Sequence, residues 1–446
     1  MAGHPAPKTV YTKQARIAEL AKQMPGTALR TLSTRMDAAW MYEAFRRTRK
    51  DGAAGVDGVT AKEYAKDLGE NLSSLLDRAK SGDRYRAPPV RRVHIPKGKG
   101  KTRPIGIPTF EDKILQRSVV MLLEPLYERD FYDFSYGFRP RRSPHDALDA
   151  LNKSIHKMGG GWVLDVDIRD YFGSIDRTKL QELVSHRVAD GVIGRLIGKW
   201  LRAGVQEEGV VDHPDSGTPQ GGVISPILSN IYLHEVIDKW WVTMVVPRLY
   251  GQGFMVRYAD DFVMVFSDRK DALRVQASLP KRLRRFGLEI HPEKTRLLEF
   301  RRPRGDGAGE KPGSFDFLGF THYWCRSRRG YQILKRKTAK DRFSRGLHSI
   351  RDWASRARHV PIAKQVVTLA SKLRGHFNYY GIQGNSQSII NFHYEVLRIW
   401  KKWLGRRSQR GYVTWEKFNK ILWRYPLPPP RLRRRGKAVQ AREAVI

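Results

Sequence analysis

Two short acidic segments carry the chemistry this chain could perform. The first, Trp162-Val163-Leu164-Asp165-Val166-Asp167-Ile168, alternates as a strand does. A period of two puts Trp162, Leu164, Val166 and Ile168 on one face and Val163, Asp165 and Asp167 on the other. Carboxylates set among Val and Ile are costly to bury unless a cation compensates them. The second segment is Tyr258-Ala259-Asp260-Asp261, with apolar runs on both sides, and it reads as a tight turn between two strands. Alone, an Asp pair at a turn is a weak signal, because Asp is a common turn residue. A strand Asp together with a hairpin Asp pair supplies three hard oxygen ligands, the donor type that Mg2+ prefers. Two such ions about 3.5–4 Å apart clamp the attacking and leaving oxygens of a phosphoryl transfer.

Positioning those carboxylates requires a sheet, and the flanking pattern supplies one. Residues 84–109 read as a hairpin whose tip carries Lys97 and Arg103. A strong helix follows over 111–127, with Pro125 near its end. Further helices are expected over 176–188, over 225–241 behind Ser225-Pro226, and over 270–287. Residues 287–300 read as another strand pair and 301–313 as a flexible loop. Residues 32–80 have helical spacing interrupted by a Gly-rich loop at 51–60, whereas 1–30 show little pattern and are expected to be mobile. Beyond about residue 335 the chain turns helical and very basic. From Val396 to Ile446 it holds 15 Lys and Arg against two Glu. The expected class is α+β, a mixed or antiparallel sheet with helices on one side and an appended all-α region, rather than a doubly wound nucleotide fold.

Composition limits the partners. The 83 Lys and Arg against 45 Asp and Glu give a net charge of +38, and self-repulsion on that scale calls for a polyanionic partner. Cys325 is the one cysteine, which excludes a disulfide framework and a Cys-based zinc site within the chain. The N-terminus has no apolar signal region, and no apolar run approaches the ~20 residues that span a bilayer. A cytoplasmic protein without membrane contact is expected. The 13 histidines, His145 of Ser143-Pro144-His145 among them, show no metal-ligand spacing. Trp400, Trp403, Trp415 and Trp423 interleave with Lys and Arg. Half are expected in helix cores and half on a basic face that stacks nucleic acid.

Three blocks, VLDVDIRDYFGSID, SGTPQGGVISPILSNIYL and VRYADDFVMVF, resemble in order and spacing the catalytic blocks of group II intron-encoded reverse transcriptases. RGHFNYYGI resembles their thumb segment, and the resemblance runs from about residue 32 to about residue 425. It implies a right-hand polymerase fold: an N-terminal extension over 1–80, fingers and palm over 81–335, a helical thumb over 336–395 and a basic nucleic-acid-binding region over 396–446. By the same match Asp167, Asp260 and Asp261 are the ligands of two Mg2+ ions, with Mn2+ a usable substitute, while Asp165 and Asp170 lie outside the ligand set. Lys294 of HPEKT matches a lysine that protonates the leaving pyrophosphate. Phe172, five residues after Asp167, matches the aromatic gate that excludes a ribose 2′-hydroxyl. Lys97 and Arg103 match contacts to the dNTP triphosphate, Gln220 a residue beside the incoming nucleotide, and Leu318 and Gly319 of FLGF the primer grip.

The function implied is RNA-directed DNA synthesis from dNTPs, with template RNA, a DNA primer or target, and a maturase role on structured intron RNA. The Cys-paired endonuclease module of many such proteins is not expected in this chain. Two alternatives stand beside this reading. One is a domesticated relative serving phage defence or DNA repair. The other is a non-enzymatic RNA-binding splicing factor, which the intact Asp167, Asp260 and Asp261 disfavour.

Overall fold

The computed structural model describes residues 7–98, 101–207, 210–212, 217, 221–303, 313–408 and 411–433. The chain divides into two compact units, the first ending at Leu298 and the second beginning at Glu299. The strands in chain order are β1 Val90–Gly98, β2 Lys101–Ile107, β3 Trp162–Val166, β4 Val205–Glu207, β5 Val210–Asp212, β6 Gly253–Tyr258, β7 Asp261–Phe266, β8 Arg296–Glu299, β9 Ser314–Phe317, β10 Phe320–Arg326 and β11 Gln332–Thr338. They form three sheets, ordered β2-β1-β4-β5, β6-β7-β3-β8 and β11-β10-β9. This is the mixed α+β architecture of the right-hand polymerase fold.

In the first unit the expected hairpin is β1–β2, antiparallel with Arg103 opposite Ile95. The short pair β4–β5 extends it through a parallel contact, Val90 opposite Val205. Strands of three residues carry too little pattern to stand out, and the sequence reading lacked this pair. The helix Phe110–Tyr127 runs through the core. Its N-cap Thr109 accepts from the Asp112 amide, and Glu111 and Asp112 favour its positive end. Thirteen of its residues are buried, from Phe110 to Tyr127.

The helix Pro7–Gln23 corrects the expectation of a mobile N-terminus. Val10, Ile17 and Ala21 fall on one stripe and are buried, and Gln14 Nε2 donates to the Met121 carbonyl at 2.9 Å. A second correction concerns 287–300, which is not a strand pair. Ile290 bridges Ile168, residues 291–295 turn, and only β8 is a strand. The helix expected over 225–241 exists as Ser225–Leu233 and then loosens into π turns at His234–Asp238 and Trp241–Val245.

The second unit opens with β9–β11, a sheet not anticipated in the sequence, and continues in helices Lys340–Arg356, Ile362–Tyr380, Ser386–Leu404 and Trp415–Arg424. The loop expected at 301–313 lies mostly outside the described residues. Helix Ser386–Leu404 runs through residue 396, and Ile350, Leu373, Phe392, Val396, Trp400 and Phe418 share one core. Trp400 is 1% exposed and Trp403 packs on that core, whereas Trp415 is 45% and Trp423 87% exposed. No helix among the described residues is long and apolar enough to cross a membrane.

Candidate active site

The site is built on β3 and the β6–β7 hairpin. β3 pairs antiparallel with β7, Asp165 opposite Val263 and Val166 opposite Phe262. In the hairpin Tyr258 pairs with Asp261, so Ala259 and Asp260 form a two-residue turn. Asp167 follows the last residue of β3, and Asp261 is the first residue of β7. The register therefore brings all three carboxylates to one end of the sheet. Phe262 to Phe266 are fully buried, which anchors the strand behind the acidic turn.

The segment 289–296 lines the other side of β3. The Arg169 amide donates to the Glu289 carbonyl at 2.8 Å and the His291 amide to the Asp167 carbonyl at 2.7 Å. The Asp167 amide donates to Thr295 Oγ1 at 3.3 Å. That docking delivers Lys294, whose Nζ lies 2.5 Å from Asp167 Oδ2. Asp165 is engaged separately, with Arg296 Nη2 at 3.3 Å from its Oδ2. The structure thus joins Asp167 to Lys294 and sets Asp165 apart.

Among the described residues no group of three or more His, Cys, Asp or Glu side chains is arranged as a formed metal cage. The donor chemistry nonetheless suits a hard divalent cation, being carboxylate oxygen throughout. The Asp167–Lys294 pair is more than a third exposed at both ends. Exposed ion pairs contribute only about 0.2–1 kcal/mol, so exchanging the ammonium for a cation is cheap.

Phe172 sits in the turn of helix Tyr171–Ser174, partly buried against the core, with its ring 5.2 Å from that of Tyr171. Tyr171 is pinned in turn, its hydroxyl donating to the Ser229 carbonyl at 2.9 Å. Gly217 closes on this corner. A Cβ there would lie 2.9 Å from the Phe172 carbonyl oxygen, and its own carbonyl accepts from Arg177 Nε at 2.8 Å. Gln220 lies outside the described residues. Gly221 beyond it abuts β2, where a Cβ would stand 2.5 Å from the Gly106 oxygen. Arg103 is exposed on β2, and Lys97 belongs to β1 with its side chain outside the described residues.

In the second unit Leu318 and Gly319 form the two-residue turn between β9 and β10. Both have positive φ, +48° and +79°. Tyr379 hydroxyl donates to the Leu318 carbonyl at 2.9 Å, and the Phe320 ring lies 5.8 Å from Tyr379 and 5.3 Å from Tyr380. The FLGF and RGHFNYYGI segments, far apart in sequence, therefore support each other.

One participant was not foreseen. Arg257, three residues before Asp260, is fully buried. Its Nε donates to Asp238 Oδ1 at 2.7 Å, and its Nη1 donates to Asn230 Oδ1 and to the Ala259 carbonyl, each at 3.1 Å. The signal was an arginine inside an apolar strand, two residues after Met255 and on the same face.

Comparison with known proteins gives the family. The reverse transcriptase (RNA-dependent DNA polymerase) family matches residues 95–322. Protein YkfC of Escherichia coli is 37% identical over 264 residues, covering 52% of this chain and 68% of that protein. The group II intron-encoded protein LtrA of Lactococcus lactis is 39% identical over 203 residues, 45% of this chain but 33% of LtrA. A putative COX1/OXI3 intron 1 protein of Saccharomyces cerevisiae is 32% identical over 183 residues, 41% of this chain and 21% of its own length. Proteins of this family work with divalent metal ions and bind RNA and DNA. Placed by a match over half its length, the chain belongs to the reverse transcriptase family, and it is similar to proteins that group II introns encode.

Proposed function

We propose that this chain polymerises DNA from dNTPs on an RNA template and assists the splicing and mobility of a group II intron whose RNA it binds. The observation that carries the reading is the register that sets Asp167 and the Asp260–Asp261 turn at one sheet end, with Lys294 against Asp167. Asp167, Asp260 and Asp261 are the residues that would hold two Mg2+ ions. When bound, such ions stabilise charge on the attacking 3′-oxygen and on the leaving pyrophosphate.

The remaining roles belong to the chain's own groups. Lys294, whose Nζ contacts Asp167, is the group we assign to protonate the leaving pyrophosphate. Phe172 fills the corner after Asp167 with an apolar ring, which cannot accept a hydrogen bond from a 2′-hydroxyl and so favours dNTPs. Lys97, Arg103 and Gln220 contact the nucleotide, and Leu318 and Gly319 the primer end. We assign the extension to 1–80, fingers and palm to 81–335, thumb to 336–395 and a basic nucleic-acid-binding region to 396–446. These are functional divisions, and they do not coincide with the compact-unit boundary at Leu298. We assign the activity to the cytoplasm.

The test is primer extension on poly(rA)/oligo(dT) with dTTP, with and without EDTA, followed by sequencing of RNA that copurifies with the protein. The reading predicts extension that EDTA abolishes and Mg2+ restores, and enrichment of one intron RNA. No extension at any divalent ion concentration would refute the polymerase assignment. Copurifying RNA without intron sequence would refute the maturase assignment.

A further inference from the structure

The acidic turn is irregular. Ala259 is buried at φ +55°, at the first central position of a two-residue hairpin, where glycine is the usual residue. Such a conformation is disfavoured for any residue with a Cβ and persists only where its surroundings over-determine it.

Two contacts over-determine this one. On one side Gly137 presses against the turn: a Cβ there would stand 2.2 Å from the Ala259 nitrogen. On the other, Arg257 Nη1 donates to the Ala259 carbonyl at 3.1 Å. The guanidinium is itself immobilised. Asp238, fully buried, accepts from Nε at 2.7 Å and from Nη2 at 2.5 Å. Asn230 accepts from Nη1 at 3.1 Å and donates from Nδ2 to the Gly137 carbonyl at 2.7 Å, so one amide ties both contacts together. Asp238 reaches this position from the π turn His234–Asp238, a local irregularity of the kind found at functional sites.

A purely structural ion pair would be complete with Asp238 alone. The planar fork instead extends to Asn230 and to the turn carbonyl, a geometry that a lysine ammonium cannot reproduce. We propose that Arg257 is a positioning residue for the acidic pair. Anchored on Asp238 and Asn230, its guanidinium fixes the Ala259 carbonyl, and through it the turn that presents Asp260 and Asp261. This role rests on Asp260 and Asp261 holding divalent cations, as proposed above.

The test uses the full chain and reads metal binding without catalysis, through loss of the electron paramagnetic resonance signal of free Mn2+. Arg257→Lys keeps the charge and removes the fork. Its Mn2+ affinity should fall about 10–100-fold, the usual effect of removing a partner that orients a ligand. In primer extension kcat should fall with it and recover partly at high Mg2+, while KM for dTTP and RNA affinity stay within about threefold. Asn230→Ala removes no charge and should act in the same direction, several-fold; it carries the test if Arg257→Lys does not fold. Folded variants that bind Mn2+ and turn over like the parent would overturn the proposal. Asp260→Ala is the internal standard. If it loses Mn2+ while Arg257→Lys and Asn230→Ala do not, the positioning role fails and the metal assignment stands. If Asp260→Ala also binds Mn2+ normally, the metal assignment itself fails.

Discussion

Two tight turns, one in each compact unit, meet the same backbone problem with different chemistry. Ala259 begins the β6–β7 turn and Leu318 the β9–β10 turn, both at positive φ without being glycine. In each, a side chain donates to the carbonyl of the irregular residue. At Ala259 the donor is a buried guanidinium paired with Asp238, whereas at Leu318 it is the neutral hydroxyl of Tyr379, backed by Phe320 and Tyr380. The difference follows what each turn displays. The turn that presents two carboxylates is held by a buried ion pair, and the turn that presents only backbone and a leucine by a neutral hydroxyl and packing. The contrast extends through the units. Burial alone would raise the Asp238 carboxyl, yet the Arg257 guanidinium and the adjacent His234 ring hold it below the usual range. In the second unit burial keeps His322 neutral, pushed down to about 3, and His376, down to about 4.

The largest expected effect comes from removing each donor in turn. Arg257→Ala leaves Asp238 buried and unpaired and should destabilise the first unit by about 3–5 kcal/mol. Tyr379→Phe removes one neutral hydrogen bond and should cost the second unit about 1 kcal/mol. Hydrogen-exchange protection of β6–β7 and of β9–β10 measures both losses, and equal losses would dissolve the comparison.

Acid should separate the units next. His322 and His376 have folded pKa values below 6.5, so between those values the unfolded chain binds protons that the folded chain does not. Their contribution is complete above about pH 6.5 and is lost as pH falls, by about 2 kcal/mol per histidine at pH 5. Asp112 in the first unit moves oppositely. Burial, against hydrogen bonds from Tyr85, Trp200 and Gln116, raises it from 3.8 to about 6, so it adds stability as pH falls from 6 towards 4. Exchange protection at pH 5 and pH 7.5 should therefore fall in β9–β11 and hold in β6–β7. His322→Leu should remove a large part of the acid loss. Uniform loss in both sheets would contradict the account.

The smallest effect separates support from chemistry within the first unit. Phe172→Val shortens a partly buried ring and should raise rNTP over dNTP use by about tenfold, or about 1.4 kcal/mol of discrimination. An unchanged ratio in a variant that still polymerises would remove Phe172 from the gate.

What was legible in the sequence was local. The β1–β2 hairpin, β3 and the β6–β7 hairpin combine apolar runs with polar tips, and Asp167, Asp260 and Asp261 stand at the ends of those runs. The helix Pro7–Gln23 was obscured because its apolar stripe is thin among Lys, Arg and Gln, and it is stabilised by a helix a hundred residues away. In β11 the Lys- and Arg-rich run Leu334 to Lys337 reads as helix until β10 pairs with it. Lys294 was assigned by resemblance alone, since nothing in its spacing shows that 289–296 docks along β3. Arg257 was passed over because arginine is ordinarily exposed, and its partners Asn230 and Asp238 come from another element.

The most direct test of the central claim, that the carboxylates at this sheet end drive polymerisation, is primer extension by Asp260→Ala and Asp261→Ala on poly(rA)/oligo(dT), with RNA affinity measured on the same preparations. Each carboxylate is assigned to ions that stabilise transition-state charge, and losing such a contribution costs several kcal/mol, about 3 or more. The account predicts that cDNA synthesis is abolished while RNA affinity stays within a few-fold. Extension near the parent rate by either variant would contradict it.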